Sequence, residues 1–132
     1  MANIVSNISV AASPTVGTQP ALNQTFSTTL PVTNYSEIVT TVTTSVTLAS
    51  LLGFTPTSML RLRNITPTGT AGADTAFNIT VSTTSGSVAL FTLSRNGEAT
   101  IIPATVTGAL AATWSVSCTG SAASATLYIM AA

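Results

Sequence analysis

Apolar and hydroxyl-bearing residues alternate along most of this chain, and a period of two marks strands half buried in a sheet. From Ile38 to Leu48 the even positions are Ile38, Thr40, Val42, Thr44, Val46 and Leu48, while the odd ones beyond Glu37 and Val39 are all Thr or Ser. Phe77, Ile79 and Val81 alternate with Asn78, Thr80 and Ser82, and Trp114, Val116 and Cys118 with Thr113, Ser115 and Ser117. Ala125, Leu127 and Ile129 alternate with Thr126, Tyr128 and Met130. Nearer the N-terminus Ile4, Ile8 and Val10 share one parity, as do Leu22, Phe26, Leu30 and Val32. The β-branched Thr and Val favour these strands because their side chains pack well on a pleated surface.

Turn residues punctuate the runs. Asn96-Gly97, between Ser87–Arg95 and Glu98–Ile102, predicts a β-hairpin. Ser85-Gly86 and Thr119-Gly120 predict two more turns, and the segment Thr66–Asp74, with Pro67, Gly69 and Gly72, predicts an irregular loop. Thr47-Leu-Ala-Ser-Leu-Leu-Gly53 breaks the alternation: a Thr cap, a few helix formers and a Gly stop predict one short helical turn. The sum is an all-β chain, an antiparallel β-sandwich of about eight strands, jelly-roll-like or Ig-like. Residues 36–132 are expected to form the sandwich. Residues 1–35, with Pro14, Pro20 and Pro31 and weaker patterning, are expected to form an N-terminal arm or edge strands.

Composition sharpens this picture by exclusion. Only 5% of the 132 residues are charged, against about 25% in an ordinary soluble domain. The charges are Arg61, Arg63, Arg95, Glu37, Asp74 and Glu98, the net charge is zero, and there is no Lys and no His. Ser and Thr supply 43 residues. General acid–base catalysis needs a positioned titratable group, most often His, and the three carboxylates fall at predicted strand ends or in a loop. Cys118 and the many hydroxyls lack a His or Lys to activate them, and Cys118 shares the apolar parity of Trp114 and Val116, where a buried inert thiol is expected. Zinc needs several Cys or His ligands, a calcium cage needs clustered acids, and no phosphate-binding loop motif occurs. The expectation is therefore no enzyme, no catalytic residue, no metal and no cofactor. Three arginines at zero net charge are too few for a nucleic-acid footprint.

The mean hydropathy of +0.56 reflects missing charge, since Ser, Thr or Gly interrupts every apolar run before it reaches the ~18 residues of a spanning helix. No membrane association is expected. The first ten residues lack the basic and apolar regions of a signal peptide, so synthesis and folding in a cytoplasm are expected. Asn-X-Ser/Thr triplets at Asn7, Asn23, Asn34, Asn64 and Asn78 are what chance gives in so hydroxyl-rich a chain. Tyr35 and Phe54, outside the regular strands, are the expected surface aromatics.

A chain near zero net charge associates readily, and edge strands normally rely on charge to avoid pairing. Permanent assembly is the expectation. Residues 36–132, with the Ser/Thr/Ala/Val-rich strands, the Asn96-Gly97 turn and the closing pair Trp114–Gly120 and Ala125–Ile129, resemble in composition and layout the small β-sandwich accessory proteins of tailed-phage virions: capsid decoration or cement proteins and head fibres. The resemblance implies a structural virion protein on the outer surface of a capsid. It also implies a homo-oligomer, often a trimer, held to a major capsid or other virion protein, with residues 1–35 clamping a neighbour. The alternative is a receptor- or glycan-binding adhesin or tail-tip module, with a pocket expected around Thr66–Asp74. Arg61 and Arg63 on one strand face, Arg95 and Glu98 across the Asn-Gly turn, and Tyr35 are the expected partner contacts, Arg being enriched at interfaces.

Overall fold

The computed structural model describes residues 2–12, 22–32, 34–56, 58–83, 88–101 and 114–132. The chain divides into two compact units, Met1–Thr33 and Asn34–Ala132. In the first, β1 (Ala2–Ala12) pairs antiparallel with β2 (Leu22–Val32). The register sets Ile4 opposite Leu30 and Ile8 opposite Phe26.

The second unit is an all-β sandwich. One sheet holds β3 (Ser36–Val42), β5 (Leu60–Asn64), β8 (Glu98–Ile101) and β10 (Ala125–Ala131), in the order β3-β10-β5-β8. The other holds β4 (Val46–Thr47), β6 (Ile79–Thr83), β7 (Ala89–Leu93) and β9 (Trp114–Cys118), in the order β4-β9-β6-β7. All pairs are antiparallel, and β3 pairs with β10, β4 with β9, β5 with β8 and β6 with β7. This is a long hairpin rolled on itself, with successive strands passing between two sheets: the jelly-roll wiring. Of the two sandwich types the alternation allowed, the jelly roll is the one formed.

The inward parities supply the core. Leu60, Leu62, Leu127 and Ile129 from one sheet meet Ile79, Val81, Leu93 and Val116 from the other, all buried. Trp114 sets its ring edge-on to Phe91, with centroids 6.4 Å apart. Cys118 is half buried against this core, its thiol 3.5 Å from the Ala122 carbonyl oxygen. Phe54, expected at the surface, is half buried against the same core. The short helix α1 (Leu48–Leu52) forms where its caps predict. Thr47 accepts a hydrogen bond from the Ser50 amide, and Gly53 closes the helix at φ 77°, a left-handed conformation open to Gly at no steric cost.

Two local expectations change. The run from Ile38 to Leu48 is split between β3 and β4, which lie in different sheets. Of its even positions Val42 of β3 is buried and Val46 of β4 packs against the same core, while Thr44 between the two strands is exposed and Leu48 is buried as the first residue of the helix α1. Asn96-Gly97 turns the chain but makes no hairpin, because β7 and β8 belong to different sheets. The Gly97 amide donates to the Ser94 carbonyl at 2.7 Å, so the central residues are Arg95 and Asn96, and of these Asn96 alone has positive φ, 66°. A hairpin-matching type I′ turn needs positive φ at both, and this geometry splays the flanking strands instead. The predicted Ser85-Gly86 turn lies outside the described residues, between the paired strands β6 and β7.

At the β9–β10 connection, Thr119 N donates to Asn78 O and Ala122 N to Ala76 O, each at 2.9 Å. These bonds draw Gly120 so close that a Cβ there would fall onto the Ala76 carbonyl oxygen. Gly120→Ala is expected to lower unfolding free energy by about 3 kcal/mol, since the obstacle is backbone. Gly69→Ala, with open space around it, is expected to stay within ~0.5 kcal/mol of the parent in the same urea titration.

Candidate functional site

The two outer faces of the sandwich differ in chemistry. On the sheet β4-β9-β6-β7 the outward residues of β6 and β9 are hydroxyl-bearing and several bond across the strands, while β7 adds the exposed Leu90 beside Thr92. Thr80 Oγ1 is 3.0 Å from Thr92 and 2.7 Å from Thr119, and Ser82 Oγ is 3.2 Å from Ser115. Hydroxyls directly opposite on adjacent strands are natural cross-strand partners.

The sheet β3-β10-β5-β8 presents the charge. Its register aligns Val39, Tyr128, Arg63 and Glu98 in one row across the four strands, and Glu37, Met130, Arg61 and Thr100 in the next. Alternation sends these to the face opposite Ile38, Ile129, Leu62 and Ala99. Four of the six charged residues of the chain, with Tyr128, therefore share one face. Arg61 Nε donates to Glu98 Oε1 at 2.7 Å, while Arg63 Nε stands 3.9 Å from Glu98 Oε2. Glu37 accepts from Tyr128 at 2.8 Å and from Tyr35 at 3.0 Å. Arg61, Arg63, Ile65 and Tyr128 line an open hollow of about 240 Å³.

Of the expected contact residues, Arg61, Arg63 and Glu98 come together here. Tyr35 reaches the face from the segment before β3 and is 52% exposed. Arg95 does not join them. Its side chain is only 4% exposed. Its guanidinium donates to the carbonyls of Thr68, Thr70 and Gly72 at 3.1–3.3 Å and lies 4.4 Å from the centre of the Phe77 ring. Nε is 3.4 Å from Asp74 Oδ1 without a hydrogen bond to it. The loop carbonyls, with no partner of their own in a regular ladder, draw the cation inward. Arg95 thus fastens the loop Thr66–Asp74, and the hollow lies on the sheet face rather than in that loop.

Glu37 and Tyr128 were missing from the expected contacts. Both lie on the outward parity of their strands, a usable signal, but only the pairing of β3 with β10 reveals that they meet. Asn64 was also missed. It is fully buried: Nδ2 donates to Phe77 O at 2.7 Å and Leu93 O at 3.1 Å, and Oδ1 accepts from the Thr66 hydroxyl at 2.8 Å and the Thr66 amide at 3.2 Å. The Asn-X-Thr triplet at Asn64 is therefore sealed from solvent in the folded chain.

The face has a pH signature. The Tyr128 and Tyr35 hydroxyls hold the Glu37 carboxyl below its ordinary range, and the bond from Arg61 does the same for Glu98. A depressed folded pKa adds stability above the unfolded value, near 4.3, that is lost as pH falls through the folded one. Burial and the Glu37 bond raise Tyr128, and the Glu37 bond raises Tyr35, so their contribution, complete below the unfolded value near 10, is lost as pH rises through the folded values. With no His in the chain, thermal melts are expected to give a flat Tm from about pH 5.5 to 7.5, falling in acid below ~4. Compared with protein-family models, with curated proteins and with solved structures, the chain matches none.

Proposed function

We propose that this chain is a structural virion protein that decorates or cements a phage capsid through subunit–subunit contacts. The carrying observation is the ribbon of β1 and β2: eleven residues per strand, paired to each other in a unit of its own. A two-stranded ribbon is marginal in water and becomes stable when a face or an edge is covered. It exposes Val5 and Phe26. A neighbouring copy or a capsid subunit is its natural cover, with the ribbon serving as the clamping arm. The hydroxyl-bearing outer sheet supports the same reading, because an uncharged surface does little to keep copies apart. The virion setting is supported by the resemblance in composition and layout, and by analogy with the jelly rolls of viral capsid domains. Light scattering of the purified full chain over a range of concentrations tests assembly. A homo-oligomer is expected, and a monomer throughout overturns the reading.

A glycan-binding module is the second reading, favoured by the hollow at Arg61, Arg63, Ile65 and Tyr128, since jelly rolls also serve as lectins. A glycan array with no ligand sensitive to Tyr128→Ala counts against it.

A further inference from the structure

We infer that the outer face of the sheet β3-β10-β5-β8 is a self-complementary contact, by which two copies of this chain meet about a two-fold axis with Arg63 of each against Glu37 of the other. The inference rests on the reading that the chain assembles with itself, and adds which surface does so.

The charges on this face do not cancel locally. Glu98 is taken by Arg61 at 2.7 Å, which leaves Arg63 with one distant approach at 3.9 Å and no hydrogen bond to a carboxylate. Its side chain is 47% exposed. Among the described residues Glu37 has no cationic partner, and its oxygens are met by two tyrosine hydroxyls. One cation and one anion thus remain for an outside partner. They lie two strands and one same-face position apart, with Tyr128 and Met130 on the strand between them, a span of ~12 Å by standard strand spacing.

A pair of opposite charges flanking a common centre is the arrangement an isologous contact requires, since residue i then meets j and j meets i. An axis beside Tyr128 satisfies both pairs at once. It also brings Tyr128 and Val39, the latter 62% exposed on the same row, against their counterparts. An aromatic with a short apolar neighbour at the centre and charge at the margin is the usual anatomy of a protein interface. Among the described residues, the outer face of β4-β9-β6-β7 carries hydroxyls and Leu90 but no such complementary pair of charges.

The test is charge exchange in the full-length chain, read as assembly mass by light scattering, with circular dichroism to verify the sheet signal of each variant. Arg63→Glu sets carboxylate against carboxylate, and Glu37→Arg sets cation against cation. Each is expected to halve the assembly mass, and the double variant to restore it. Arg63→Gln, which introduces no repulsion and leaves the Arg61–Glu98 bond in place, is expected to weaken the contact by about tenfold or more, and added salt to weaken the parent contact. An oligomer whose mass ignores both single exchanges overturns this inference and leaves assembly standing. A double variant that stays at half mass also overturns it, because the face then takes a different partner. A parent chain that is monomeric throughout overturns both.

Discussion

Asn64→Ala is expected to destabilise the sandwich by about 3–5 kcal/mol, a large part of the 5–15 kcal/mol that holds a typical domain together. The Asn64 amide satisfies the carbonyls of Phe77 and Leu93 on one side and the Thr66 amide and hydroxyl on the other. Its backbone pairs with the corner after β7, receiving the Asn96 amide and donating to Gly97. Thr66 passes the network on, since its hydroxyl accepts from the Thr126 amide at 2.9 Å. Truncation leaves two carbonyls and an amide in a site closed to solvent, each an unmet group worth about 1–3 kcal/mol before relaxation. Asn64→Asp is the sharper variant. It keeps the volume but replaces a donor by an acceptor that faces two carbonyl oxygens, and it must ionise or stay protonated in a buried site. It is expected to be at least as damaging as Ala at neutral pH and to recover partly in mild acid, whereas Ala does not. Urea unfolding of the three proteins at two pH values checks both statements. An Asp variant as stable as the parent at neutral pH counts against the network as described.

Arg95→Met is expected to cost about 2–4 kcal/mol and to free the loop Thr66–Asp74. The guanidinium holds three carbonyls of that loop and covers the Phe77 ring, so its loss removes charge-assisted bonds and a cation–π contact together. Met restores much of the apolar volume, which makes the remaining deficit a measure of the polar contacts. Arg95→Lys keeps the charge, yet one ammonium cannot reproduce the fork that reaches Thr68, Thr70 and Gly72, and it is expected to recover less than half of the loss. Hydrogen exchange and limited proteolysis are expected to show the change at residues 66–74, with β5 and β10 protected as before. Uniform loss of protection would mean that Arg95 supports the core as a whole.

Much of the fold was legible in the residues. Strand parity told which side chains face the core within each strand, as Val42 of β3 and Val46 of β4 show on either side of the passage between sheets, although Thr44 between them is exposed. The helix Leu48–Leu52 was legible because both of its ends carry their own chemistry, in Thr47 and Gly53. What escaped was set by partners distant in sequence. Asn96-Gly97 has the residues of a hairpin, but the turn is drawn one residue back by the bonds to Asn64, 32 positions earlier. Arg95 has the look of a surface cation, and is buried because a loop more than 20 residues upstream offers it three carbonyls. The outward face was half legible: Arg61 and Arg63 share a strand parity, but their relation to Glu98, Tyr128 and Glu37 depends on strand order, which alternation alone does not encode.

The rolled wiring has a consequence for how the chain reaches this state. Among the described strands, of the seven steps from β3 to β10 only β6 to β7 joins sequence neighbours within one sheet. Every other pairing in the sandwich waits for segments far apart to find each other, and β3 cannot find its place until β10, the last strand, is available. Loop-closure entropy must be met before those pairings return any energy, so this domain belongs among the slow folders, in milliseconds to seconds rather than microseconds. During that interval the apolar parities of ten strands are open to solvent with six charges in the whole chain to hold copies apart. The time spent unfinished, more than the stability of the finished form, sets how much of a fresh population is lost to aggregation.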